Sequence, residues 1–187
     1  MGLSIFLSPP SSGGAFQAPD PASRVTFVFT FVHAAAMGSS DCLDSAIKWA
    51  DLARQELLHR GGYECQEVGE GNFMLAFDNV PAAVVFCAEA QRRVSESGED
   101  KRIGVAMGVA SGVPAYGKPH SKTGRQDYFG KVVNLAARVA KRAKPGQVLA
   151  ALTQQDTHKW PQGLAIHSMG KMTFKGIGKR TEVYQVG

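Results

Sequence analysis

The chain has 187 residues, of which 44% are hydrophobic and 20% are charged, and these values fit one globular domain with a substantial core. No apolar run approaches the ~20 residues that a membrane-spanning helix needs, so no membrane segment is predicted within the chain. The net charge of +5 allows binding of either a nucleic acid or a polyphosphate such as ATP or GTP, and composition does not separate these two partners.

Three cysteines, Cys42, Cys65 and Cys87, stand far apart in the sequence. An odd number at this spacing matches neither a disulfide framework nor a zinc site, so a reducing, cytoplasmic location is predicted. Cys42 and Cys87 fall in helical patterns, and both are predicted to be small buried residues of the core.

Residues 1–24 are rich in proline, serine and glycine and are interpreted as a flexible leader, so the folded domain is predicted to span residues 25–187. The domain opens with Val25–Val32, whose β-branched and aromatic residues predict a central strand. A helix follows, capped by one of residues 39–41 and ended by the glycine pair at 61–62. Its apolar face is predicted to contain Leu43, Ala46, Ala50, Ala53 and Leu57.

The next segment predicts two short strands, Tyr63–Val68 and Asn72–Phe77, joined by a hairpin across Gly69-Glu70-Gly71. A second helix capped by Asn79 and a strand over Arg102–Ala110 follow. The order β-α-β-β-α-β predicts an α+β, ferredoxin-like core, in which an antiparallel sheet carries two helices on one face. A C-terminal αβ extension is predicted to contain a glycine-rich loop (111–126), a helix (131–143), a strand (Gln147–Ala151), a helix (153–159) and strands near Ile166, Thr173 and Val183.

The most informative stretch runs from Asp127 to Arg138 and reads DYFGKVVNLAAR. Gly130 opens a helix, on which Asn134 and Arg138 are four residues apart and therefore share one face. Side by side, an amide and a guanidinium form a donor pair suited to a phosphate oxygen. An asparagine and an arginine on an ordinary solvated helix face are the other interpretation of the same spacing.

This stretch, followed by Ala143–Leu149, resembles the signature of the class III adenylyl and guanylyl cyclases, which is roughly D-Y-x-G-x-x-V-N-x-A-A-R and then A-x-x-G-Q. The resemblance runs from Val25 to the end of the chain, and it implies a class III nucleotidyl-cyclase homology domain with the same β-α-β-β-α-β core. Further matching segments, in the expected order, are Gly61–Glu64, Phe73–Phe77, Ile103–Gly112 and Phe174–Gly178.

The resemblance implies that ATP or GTP is converted to a cyclic nucleotide and pyrophosphate in a dimer whose active sites lie between the subunits. In the family, two aspartates of one subunit hold two Mg²⁺ or Mn²⁺ ions, and the other subunit supplies donors and base-recognition residues. By position, Asn134 is implied to orient the ribose, Arg138 to stabilise the pentacovalent phosphate and Lys175 to bind the polyphosphate. Asp127 and Gln66 are implied to contact the base.

The metal half of the site departs from the family pattern. Phe31 stands where the first metal aspartate is expected, and Glu70 stands where the second is expected. A phenyl ring offers no oxygen to Mg²⁺ or Mn²⁺, and Glu70 is a candidate for holding a single ion loosely rather than a replacement for the pair. After Phe31 come His33 and three alanines, which bring no hydroxyl. Gln66 replaces the lysine of adenylyl cyclases or the glutamate of guanylyl cyclases, so it does not indicate whether the substrate base is adenine or guanine.

We favour the hypothesis that the chain is the donor-bearing half of a dimeric cyclase, with the metal ions held mainly by a partner subunit. The alternative is an inactive pseudo-cyclase that acts as a regulatory, dimerisation or nucleotide-binding module. An atypical active homodimer that uses Glu70 and another carboxylate, and a basic nucleic-acid module, are the remaining interpretations. We expect no nucleic-acid partner because no stripe of stacking aromatic residues accompanies the basic positions. A homodimer is expected to be inactive or very weak, since neither site has a metal pair.

Overall fold

A computed structural model describes residues 17–34, 40–99, 102–158 and 160–187. In chain order its elements are β1 (Val25–Ala34), α1 (Ser40–His59), β2 (Tyr63–Glu67), β3 (Phe73–Phe77), α2 (Val80–Ser97), β4 (Ile103–Gly112), β5 (Tyr116–Pro119), β6 (Gln126–Phe129), α3 (Lys131–Arg142), β7 (Val148–Ala151), α4 (Gln154–Thr157), β8 (Ile166–Met172) and β9 (Thr181–Val186).

Seven of the strands form one sheet in the order β2-β3-β1-β4-β7-β9-β8. The first six elements follow the β-α-β-β-α-β order, which confirms the predicted α+β, ferredoxin-like core. β1 lies between β3 and β4 and runs antiparallel to both. Among the described pairs, β4 and β7 alone are parallel, and α3 supplies the crossover between them.

The two faces of the sheet carry different helices, because successive side chains of a strand point to opposite sides. Val28 of β1 belongs to a buried cluster with Trp49 of α1 and Phe86 of α2. Its neighbour Phe27 belongs to a second cluster, which includes Val139 of α3. We call these two sides the α1/α2 face and the α3 face.

Helix α1 buries a face that is rotated slightly from the predicted one. Leu43, predicted to be apolar core, is 50% exposed, whereas Cys42 and Trp49 are buried beside the other predicted positions. The predicted cap of α2 is confirmed, since the Asn79 side chain accepts a hydrogen bond from the Ala82 amide.

The predicted loop at 111–126 is wrong in part, because β5 pairs with β6 to form a two-stranded hairpin. The predicted helix at 153–159 is shorter, and no separate strand begins at Thr173 within the described residues. β5 is largely exposed and β8 is the edge strand of the sheet, so neither shows the period-2 burial pattern of a half-buried strand.

Part of the predicted leader packs on the domain. Pro19 is buried, and its carbonyl accepts a hydrogen bond from the hydroxyl of Tyr128. Arg24 makes an ion pair with Asp156 at 2.9 Å. Residues 1–16 of that leader lie outside the described residues.

Cys42, Cys65 and Cys87 are all buried and form no disulfide, which confirms the core placement of Cys42 and Cys87. Burial raises the pKa of the Cys87 thiol above its ordinary value. No helix among the described residues is both long enough and apolar enough to cross a bilayer.

Candidate functional site

Helix α3 packs unusually close to the sheet, and this packing sets the direction in which the polar face of the helix points. A Cβ atom at Gly108 of β4 would lie 2.0 Å from the backbone nitrogen of Ala140 and 2.6 Å from the carbonyl oxygen of Ala136. The backbones of β4 and α3 therefore touch, as only a glycine allows. This contact buries Ala136, Val139 and Ala140. The opposite side of the helix therefore faces away from the sheet, where a ligand can bind.

The exposed side of α3 carries the predicted donors. Asn134 is exposed and Arg138, one turn later, is half-buried, so the structure brings them to one helix face as predicted. Lys141 is exposed three residues after Arg138 and continues the same face. Lys141 was not singled out from the sequence, although the spacings of seven from Asn134 and three from Arg138 could have identified it.

Lys175 sits at the tip of a tight turn that lies beside Arg138. Phe174 is buried and anchors the turn, and its carbonyl accepts a hydrogen bond from the Ile177 amide at 3.0 Å. Gly176 adopts the left-handed conformation with φ of 74°. A Cβ there would lie 3.5 Å from Nη2 of Arg138, so the guanidinium and the turn that carries Lys175 are neighbours.

Asp127 lies on the buried side of the β5–β6 hairpin. Its Oδ1 atom accepts a hydrogen bond from the Tyr128 amide at 2.9 Å. Burial, and secondarily the negative charge of Asp127, raise the pKa of the Cys65 thiol well above its ordinary value, which places the carboxylate close to β2. The hydroxyl of Tyr63 accepts a hydrogen bond from the Gln126 amide at 2.8 Å and joins β2 to β6.

An irregularity in β2 turns Gln66 toward the α3 face. The β2–β3 register shifts between Glu64 and Gln66, so Gln66 pairs with Met74 rather than following strict alternation. Met74 belongs to the cluster on the α3 face, and Nε2 of Gln66 lies 3.5 Å from its sulfur. Gln66 and Asp127 therefore adjoin the same side of the sheet, the side on which Cys65 and Met74 are buried.

The end of β1 meets the β2–β3 turn, and the two metal positions implied by the resemblance lie there. The hydroxyl of Thr30 donates to the carbonyl of Gly71 at 2.9 Å and accepts from the Phe73 amide at 2.8 Å. Phe31 is half-buried in the next position of β1, and Glu70 is exposed at the tip of the turn.

This corner does not fit a pair of metal ions. Mg²⁺ and Mn²⁺ require several oxygen ligands, whereas Phe31 supplies none. In the part of the chain that the structure describes, no three His, Cys, Asp or Glu side chains are grouped to hold a metal ion. Of the alanines that follow Phe31, Ala35 and Ala36 lie outside the described residues. The ring of Phe31 instead lies under the ammonium of Lys141, with Nζ 5.7 Å from the ring centroid.

The positive charge around these residues is not neutralised by ion pairs. Residues 131–187 contain ten lysines and arginines but two acidic residues, Asp156 and Glu182. All ion pairs of the described residues use cations that precede residue 131. The cations of α3 and of the Lys175 turn therefore remain available to an anionic ligand.

Comparison with known proteins places this arrangement in a family. Residues 46–187 match the family model of the adenylate and guanylate cyclase catalytic domain. An adenylate cyclase of Mycosarcoma maydis is 30% identical over 168 residues, which cover 77% of this chain and 6% of that protein. An adenylate cyclase of Lachancea kluyveri is 33% identical over 153 residues, which cover 68% of this chain and 8% of that protein. The chain thus spans less than a tenth of the length of these relatives.

The fold is also similar to that of solved cyclase structures. A non-canonical dimeric guanylyl cyclase domain from Blastocladiella emersonii superposes with a TM-score of 0.69 at 17% identity, covering 88% of this chain and 96% of that one. The family match spans most of the chain and includes the motifs that carry Asn134, Arg138 and Lys175. The chain therefore belongs to the adenylate and guanylate cyclase catalytic domain family.

Proposed function

We propose that this chain is the donor-bearing half of a dimeric nucleotidyl cyclase, which converts ATP or GTP to a cyclic nucleotide and pyrophosphate. The observation that carries the proposal is that Arg138 shares a helix face with Asn134 and adjoins the turn of Lys175. Neither cation has an acidic partner among the described residues. Phe31 and the lone Glu70 leave this chain without a metal pair, so a second cyclase domain with intact metal aspartates supplies that half of the site. Dimerisation is itself part of the proposal; a solved domain of the same fold is a dimer, although of a non-canonical kind.

Each donor has a role that follows from its chemistry. In the reaction, the 3′-oxygen of the ribose attacks the α-phosphorus while the bond to the bridging oxygen breaks and pyrophosphate leaves. Arg138 presents a planar set of N–H donors, which suits the charge that develops on the α-phosphate oxygens. Lys175 is a point charge for the outer phosphates, and the Asn134 amide orients the ribose.

The base is assigned to Asp127 and Gln66. Oδ1 of Asp127 is already engaged by the Tyr128 amide, whereas Oδ2 has no hydrogen-bond partner among the described residues. That second oxygen suits the exocyclic amine of adenine, because an ionised carboxylate only accepts hydrogen bonds. Gln66 both donates and accepts, so it adapts to either purine.

An inactive pseudo-cyclase is the second candidate, and one contact favours it. Phe31 lies half-buried beneath Lys141, so the corner that holds metal ions in active relatives is filled by an apolar ring and a cation. A chain with this corner is able to bind a nucleotide or a partner domain without turning over.

The test is a complementation assay with ATP and with GTP in the presence of Mn²⁺. The chain is assayed alone and then mixed with a cyclase domain that keeps its metal aspartates but carries alanine in place of its own Asn and Arg. We expect cyclase activity only when the two domains are mixed, and we expect Arg138→Ala to lower that activity by ~10²–10³-fold. Arg92→Ala is the control, because Arg92 is an exposed arginine of α2 that pairs with Glu89 and is not among the donors.

Absence of cyclase activity in the mixture, despite formation of the heterodimer, would exclude the donor role. The pseudo-cyclase hypothesis would then remain. Turnover by the chain alone would show that Phe31 and Glu70 do not prevent metal binding. Equal losses from Arg138→Ala and Arg92→Ala would show that Arg138 has no specific role.

A further inference from the structure

The end of β1 and the C-terminal turn of α3 form a corner that the proposed donor role leaves unused. Lys141 holds its ammonium 5.7 Å from the centroid of the Phe31 ring. Phe31 is half-buried and Lys141 is an exposed residue, so the ring face restrains the cation on a surface that a ligand reaches.

A second basic side chain lies on the same face. His33 is two residues after Phe31 and therefore points to the same side of β1. It is exposed and pairs with Gly104, over which Pro145 packs at the end of α3. His33 therefore lies on the same face of β1 as Phe31, the residue that Lys141 contacts from the helix.

The corner lacks the carboxylates of a site built from two aspartates, and it carries the ammonium of Lys141 beside Phe31. Lys141 takes part in no ion pair among the described residues. The hairpin turn carries one acid, the exposed Glu70. A pair of carboxylates repels a polyphosphate until a divalent cation bridges them. An unpaired ammonium attracts the polyphosphate directly.

We propose that the Phe31–Lys141 corner is a binding site for the phosphate chain of a nucleoside triphosphate or of pyrophosphate, and that it binds this chain without a divalent cation. Lys141 supplies the contact to the phosphate oxygens, and Phe31 holds Lys141 in place. The site is separate in function from the Arg138 and Lys175 donors, and it does not require that the chain support cyclase activity.

Calorimetric titration of the whole chain with inorganic pyrophosphate and with ATP, in excess EDTA at fixed ionic strength, tests this proposal. We expect measurable binding in EDTA, and we expect Lys141→Ala to weaken it about tenfold, the size of one charge-assisted hydrogen bond. Lys118→Ala is the matched control, because Lys118 is an exposed lysine that likewise lies over a ring, 5.5 Å from the centroid of Phe129.

A pair of substitutions at position 31 separates charge from packing. Phe31→Asp places a carboxylate beside Lys141 and is expected to weaken metal-free binding about as much as Lys141→Ala. Phe31→Leu keeps the site uncharged and is expected to weaken it less than threefold, since it removes the ring alone. Thermal melting confirms that each variant is folded.

Three outcomes would overturn the proposal. The first is no binding in EDTA, and the second is equal affinity of Lys141→Ala and wild type. The third is loss of the metal-free binding in Arg138→Ala with no loss in Lys141→Ala, which would place the phosphate at the donor cluster. None of these outcomes decides whether the chain complements a metal-bearing cyclase domain, so the two proposals fail independently.

Discussion

The contact between Gly108 and α3 makes the most specific structural prediction. In Gly108→Ala the new methyl group meets the backbone of Ala140 at 2.0 Å and that of Ala136 at 2.6 Å, so no side-chain rotation relieves it. The helix has to retreat by about 1.4 Å to reach ordinary contact at 3.4 Å. Such overpacking costs ~1–3 kcal/mol. In a domain of this size that lowers the melting temperature by roughly 3–10 °C.

The same displacement moves the donors of α3. A shift of ~1 Å in a positioning element costs about 10²-fold in rate, so Gly108→Ala should lower activity in the complementation assay more than Arg92→Ala does, even well below its melting temperature. Thermal denaturation followed by circular dichroism gives the stability, and the mixed assay gives the rate.

The matched control is Gly178→Ala, measured for stability. Gly178 has no heavy atom within 4 Å of a built Cβ, and its backbone does not require a positive φ. Equal melting temperatures for Gly108→Ala, Gly178→Ala and the wild type would contradict the close approach of α3 to β4. The argument that this approach sets the direction of the polar face of α3 would then fail as well.

The other predictions concern the hairpin turn, the α1–α2 contact and the Lys175 turn. Thr30→Val leaves the Phe73 amide without its acceptor and should cost ~1–3 kcal/mol in urea unfolding, whereas Thr30→Ser keeps the hydroxyl and should cost less. The Ser45 hydroxyl and the Lys48 ammonium hold the pKa of Glu99 below its ordinary value of 4.5, so the stability from this network is present above pH 4.5 and is lost as pH falls through the lowered pKa. Glu99→Gln should therefore flatten the loss of stability below pH 4.5, and an unchanged pH profile would contradict this. Gly176→Ala forces a Cβ into the left-handed region at ~1–2 kcal/mol and should raise the KM for the nucleotide in the mixed assay more than it lowers kcat.

The core elements could be predicted because local chemistry and the final contacts agree there. β1 consists of β-branched and aromatic residues and lies in the middle of the sheet, and Asn79 caps α2 through its own side chain. The four-residue spacing of Asn134 and Arg138 is sufficient to place both on one helix face. These predictions depend on neighbours within a few residues, which a sequence displays directly.

The features that escaped prediction depend on distant residues. The contact between Phe31 and Lys141 joins two segments that are more than 100 residues apart, and nothing in either segment encodes it alone. Gln66 lies toward the α3 face because the β2–β3 register shifts just before it. β5 is largely exposed and the two buried residues of β6, Asp127 and Tyr128, are consecutive, so the short hairpin shows no period-2 burial pattern.

Exposed apolar surface around Phe73–Phe77 would have indicated dimerisation directly, but all five residues are buried within the domain. The dimer therefore has to be tested by function rather than inferred from this strand. Under the proposed function, a second domain completes a site beside Arg138 and Lys175, neither of which takes part in an ion pair among the described residues.

The most direct measurement is a titration of this chain into a fixed amount of the complementary cyclase domain, with cyclic nucleotide formation as the readout. The account predicts that neither this chain nor the complementary domain is active by itself. It predicts a rate that rises with added chain and saturates near one equivalent. It predicts further that Arg138→Ala saturates at the same ratio with a maximal rate ~10²–10³-fold lower. A rate that stays at zero while the heterodimer forms, or a rate that grows with this chain without saturating at one equivalent, would contradict the donor-half account.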